Sequence, residues 1–69
     1  MYYLIEISTT KDGIAKAIWD KDTLDLAYMQ LHQTLASAMA NENVSNCMCM
    51  VIDGHGATMR HEYWERTAE

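Results

Sequence analysis

Val44-Ser45-Asn46-Cys47-Met48-Cys49-Met50-Val51-Ile52-Asp53 is a run whose apolar positions show no helical spacing. A short continuous apolar run with turn signals after it reads as a strand with apolar side chains on both faces. Gly54-His55-Gly56 turns the chain, and Ala57 to Trp64 reads as the return strand. The N-terminal end repeats the pattern. Tyr2 to Thr9 is aromatic and β-branched, Lys11-Asp12-Gly13 suits a three-residue hairpin loop with a bulge, and Ile14 to Trp19 returns.

Between the hairpins, Leu24, Ala27, Tyr28, Leu31, Leu35 and Ala38 recur at three and four residues, one face of an α-helix. The helix is expected from Thr23 to about Ala40. Asp22 is the expected N-cap, and Asp25 favours the dipole from the first turn. Asn41-Glu42-Asn43 forms the exit, and the polar tail from Glu65 to Glu69 is expected to fray. The order is ββαββ, an α+β fold. A right-handed crossover gives an antiparallel sheet in the order 2-1-3-4 with one helix on one face.

Length and composition bound the rest. A chain of 69 residues makes one domain, spanning 1–69, with a thin core. Apolar residues at 49% and charged residues at 22% describe a globular chain. A net charge of -5 argues against direct nucleic-acid binding and against docking on anionic membrane. The first residues lack a basic stretch followed by an apolar one, and no apolar run reaches bilayer length. The expected location is cytoplasmic, with thiols reduced.

One helix covers one face of the sheet, so the choice of face decides what stays open. A three-residue first loop places Tyr3, Ile5 and Ile7 with Ala15, Ala17 and Trp19. Pairing Ile52 with Ala57 groups Met48, Met50, Ile52, Met59, His61 and Tyr63. Both sets are assigned to the helix side, with Met48, Met50 and Met59 filling core gaps. The open face then carries Tyr2, Leu4, Ile18, Cys47, Cys49, Val51 and Trp64, with Glu6, Lys16, Arg60 and Glu62 around them. An apolar patch of that size marks a partner site, most simply for a second copy of the chain. A one-residue slip in a hairpin would exchange the faces.

Chemistry has few candidates. Cys47 and Cys49 with His55 and His61 invite a zinc reading, but the thiols lie mid-strand without a second ligand pair, and His61 falls on the other face. No metal or cofactor is expected. A cysteine nucleophile lacks an orienting group and an oxyanion hole, so no catalytic residue is assigned. Neighbouring thiols on one strand also fail disulfide geometry. His32, at the edge of the apolar stripe, is a boundary residue or a ligand contact. Asp20, Asp22 and Asp25 lack the glycine and glutamate of a calcium loop. Leu26 and Met29 offer a second exposed surface on the helix.

Leu31-His32-x-x-Leu35-Ala36-x-Ala38, preceded by Asp20 to Asp25 and followed by Cys49-Met50-Val51-Ile52-Asp53-Gly54-x-Gly56, resembles a group of small proteins of gut bacteria and their phages. That group shows an aromatic before the helix histidine, where this chain has Leu31. It carries no established activity. The resemblance implies an accessory protein of a phage or mobile element that inhibits a host defence system by occupying a nucleic-acid groove or a protein surface of the host. The alternative is a small-ligand or nucleotide-binding module with its site at a homodimer interface, lined by His32 or by Tyr2 and Trp64.

Overall fold

The computed structural model describes residues 1–67. The elements are β1 (Tyr2–Thr10), β2 (Gly13–Lys21), α1 (Leu24–Ala40), β3 (Val44–Asp53) and β4 (Thr58–Glu65). They build one antiparallel sheet in the order β2-β1-β3-β4, with α1 packed across it. The expected ββαββ topology and strand order are those observed.

The helix starts one residue later than its expected cap. Thr23, not Asp22, is extended at the N-cap, and its hydroxyl accepts from the Leu26 amide at 3.2 Å. Ala27, Leu31, Thr34 and Ala38 form its buried face, with Leu24, Tyr28 and Leu35 half-buried beside them. These meet Leu4, Val44, Cys47, Cys49 and Val51 from the sheet to make the core.

On β1, β3 and β4 the faces are therefore the reverse of the sequence expectation, while Ala15, Ala17 and Trp19 of β2 lie on the helix side as expected. Leu4, Cys47, Cys49 and Val51 are fully buried beneath α1, with Tyr2 and Trp64 packed against them. Of the residues assigned to the open face and its surround, only Ile18 and Lys16, both on β2, lie there. Two differences from the expectation produce this arrangement. First, Gly13 takes φ +125° and pairs with Thr10, so it belongs to β2 and the loop is only Lys11-Asp12. The register becomes Ile5 opposite Ile18 and Leu4 opposite Trp19, which moves β2 by one residue against β1 and leaves Ala17 and Trp19 on the helix side although β1 is turned over. Second, β1 is greasier on Tyr3, Ile5 and Ile7 than on Leu4, Glu6 and Ser8, yet the latter set faces the helix. Met48, Met50, His61 and Tyr63 do share a face as expected, but it is the uncovered one. Met59, skipped by the ladder where the register shifts between Val51 and Ile52, is exposed and fills no core gap.

The C-terminal segment is held rather than frayed through Arg66. Its amide donates to the Ser45 carbonyl at 2.8 Å, continuing the β3–β4 ladder. Its guanidinium closes the end of α1. Nε donates to the Val44 carbonyl at 3.1 Å, and Nη2 donates to Met39 and Asn41 carbonyls at 3.2 and 2.9 Å. The last turn of α1 contains no basic residue, so this distant arginine supplies the cation that the carbonyl end favours. The same guanidinium lies 4.8 Å from the Trp64 ring centroid. The rest of the expected frayed tail, Ala68 and Glu69, lies outside the described residues.

Candidate functional site: the uncovered sheet face

Strand register assembles the open face row by row. One row runs Ile18, Ile5, Met50, His61 from β2 to β4. The next runs Lys16, Ile7, Met48, Tyr63, and the row on the other side runs Asp20, Tyr3, Ile52, Thr58. Ile5, Ile52, Met48 and Met50 on the central strands are half-buried by their neighbours alone. Ile18 is 70% exposed, Ile14 66% and Tyr63 55%. Among the described residues no second layer covers these groups, because α1 is committed to the other side.

The charged groups and the imidazole of this face sit on its edge strands. Lys16 and Asp20 lie on β2, and His61 and Glu65 on β4. The Tyr63 hydroxyl donates to Glu65 Oε2 at 3.1 Å. Partial desolvation and the neighbouring carboxylate hold the Tyr63 phenol above its ordinary range.

The thiols occupy the covered side. Cys47 Sγ lies 3.7 Å from Cys49 Sγ and donates to Glu6 Oε2 at 3.5 Å; the Ser8 hydroxyl donates to the same oxygen at 3.1 Å. Burial pushes both thiols up, Cys49 to about 12 with Cys47 adding to the effect. They are therefore protonated at neutral pH, which disfavours nucleophilic or ligating thiolates. His61 lies on the opposite side of the sheet from both. Among the described residues, no three His, Cys, Asp or Glu side chains converge to hold a metal ion.

Other candidates are scattered. His32 is exposed on α1, whereas Tyr2 and Trp64 belong to the helix-side core. They do not meet at the uncovered face. His55 and Gly54-Gly56 form the β3–β4 turn, where Asp53 Oδ1 accepts from the His55 and Ala57 amides at 2.8 and 2.9 Å. Those bonds, Ala57 foremost, hold the Asp53 carboxyl below its ordinary range. Leu26 and Met29 are exposed, as expected. No helix is long and apolar enough to cross a membrane among the described residues.

Sequence reasoning missed the Glu6–Ser8–Cys47–Cys49 chain and the Arg66 clamp. A signal for the first was present: Leu4-x-Glu6-x-Ser8 is a polar strand face, and if it is the covered one its carboxylate and hydroxyl must find hydrogen-bond partners there. Comparison with protein-family models, with curated proteins and with solved structures finds no match to this chain.

Proposed function

We propose that this chain is a non-enzymatic interaction module that pairs with a second copy of itself through the uncovered sheet face. The observation that carries the reading is the inverted polarity of β1. Its all-apolar side, Tyr3, Ile5 and Ile7, is left open, while its mixed side, Leu4, Glu6 and Ser8, is covered. A monomer gains nothing from that arrangement, because solvating the apolar side forfeits burial of about 25 cal/mol per Å².

Size and charge favour a second copy. Four strands spaced about 4.8 Å apart, with roughly 30 Å of length, offer about 600 Å² per copy. Two copies bury about 1,200 Å², the lower bound of a standard specific interface, so a Kd on the order of micromolar fits. A two-fold axis between the sheets and parallel to the strands stacks β2 of one copy on β4 of the other. Lys16 then faces Tyr63 and Glu65 of the second copy, while Asp20 comes beside His61, and each contact occurs twice. The central rows of Ile5, Ile7, Met48 and Met50 form the dry middle.

The test is sedimentation equilibrium of the chain beside Ile18→Lys and Ile5→Glu variants. The wild type should fit twice the chain mass at high concentration, and both variants should fit one chain while retaining their circular dichroism. A wild type that stays at one chain mass up to millimolar concentration would overturn the reading. The resemblance to phage and gut-bacterial proteins adds a setting, an accessory protein that occupies a host defence component. Capture experiments with the Leu26→Glu/Met29→Glu variant as control test whether such a partner uses the exposed helix side.

A further inference from the structure

We infer that the groove between α1 and β2 is a binding site for a small organic ammonium ion. The helix packs mainly on β3 and β1, and a groove opens between its Gln30–Asn41 side and Glu6 and Trp19 of the sheet. The groove has a volume of about 630 Å³. That is within the range of cavities that hold small ligands. Glu6 and Trp19 rise into it from the sheet; Gln30, Gln33 and Ser37 border it from the helix, and Asn41 from the helix end.

Three features select the ligand. Glu6 carries the only charge among the lining residues, so the groove favours a cation and opposes phosphates and carboxylates. The carboxylate is also held in place. Ser8 and Cys47 both donate to Oε2, at 3.1 and 3.5 Å, and Oε1 has no hydrogen-bond partner among the described residues. An ammonium group donating to Oε1 completes the carboxylate without displacing a bond already made. Finally, the Trp19 indole supplies an aromatic surface beside that charge, which suits an alkylammonium group. Gln30, held by a 3.1 Å bond from its amide to the Thr34 hydroxyl, keeps its carbonyl oxygen for a second donor. The groove is on the helix side of the sheet, so it is open to a ligand whether or not two copies pair.

The probe is n-butylamine, compared with n-butanol and butyrate, followed by ¹H–¹⁵N correlation spectra of the full chain. The amine should shift the Trp19 indole and the Gln30 and Gln33 side-chain amides in a saturable way. Butanol and butyrate should bind at least about tenfold more weakly, because a hydrogen bond to a charged group is worth that ratio or more. Glu6→Gln keeps the Ser8 bond and removes the charge, and should cost the amine a similar factor. Equal binding of butanol and butylamine by the wild type would overturn the assignment. So would saturable shifts confined to the open sheet face, or an absence of shifts at tens of millimolar amine. The wild-type ligand comparison stands even if the variant folds poorly.

Discussion

Replacing Arg66 with alanine should be among the most damaging changes available outside the core. The guanidinium makes three well-formed bonds to carbonyls at the end of α1 and the start of β3, at 2.9, 3.1 and 3.2 Å; a fourth, to Ala38 at 3.4 Å, is marginal. Arg66 is exposed, so each bond is discounted to about 0.5 kcal/mol, the low end for intramolecular hydrogen bonds. The helix-end charge effect adds about 0.3 kcal/mol and the Trp64 contact about 0.5 kcal/mol at an exposed site. The sum is about 2 kcal/mol. A domain of this length has on the order of 3–10 kcal/mol in total, so the loss is a large fraction. It corresponds to a fall in Tm of roughly 8–16 °C. Arg66→Lys should recover only part of it, because an ammonium lacks the planar fork that reaches Val44 and Asn41 together. Urea denaturation followed by circular dichroism measures both variants, with the slope against urea unchanged if only the native state is affected. A loss below about 0.5 kcal/mol for Arg66→Ala, the scale of an ordinary surface substitution, would refute the clamp.

Other perturbations test the local geometry. Gly13→Ala should cost about 1–3 kcal/mol from backbone strain alone, since φ is +125° and nothing lies within 4 Å of the added carbon; chemical denaturation reads it. Thr23→Ala should cost about 1 kcal/mol, while Asp22→Ala should cost much less, which distinguishes the observed cap from the one sequence suggested. The Cys49 thiol has its folded pKa raised from 9.0 to about 12. The stability it contributes is therefore complete below pH 9 and is lost as pH rises from there toward 12. Cys47→Ala/Cys49→Ala should flatten the alkaline limb of a pH–stability curve. At neutral pH, alkylation of either thiol should proceed only as fast as the fold opens.

How far the sequence could be read depended on the scale of the feature. Helical spacing from Leu24 to Ala38 and the apolar run Val44–Asp53 are properties of whole segments, and both stand where they were expected. The register of β2 hinges on a single residue. Counting Gly13 in the loop or in β2 shifts the partner of every β2 side chain by one, and a glycine beside a hairpin loop is read either way from sequence. The rule that the greasier face goes inside failed for a different reason. Tyr3, Ile5 and Ile7 outscore Leu4, Glu6 and Ser8, so hydrophobicity alone buries the wrong set; the helix covers the mixed side. Arg66 was illegible because its acceptors lie more than twenty residues away in sequence. The groove was illegible because it arises from the width of the sheet relative to one helix.

The most direct test of the account is an isotope-filtered NOE experiment on a mixture of labelled and unlabelled chain. The account predicts contacts between copies joining the methyl groups of Met48 and Met50 to those of Ile5, Ile7 and Ile18, with Lys16 of one copy near Tyr63 of the other. Contacts between copies that run instead through Leu26 and Met29, or a spectrum without any such contacts at millimolar concentration, would contradict it.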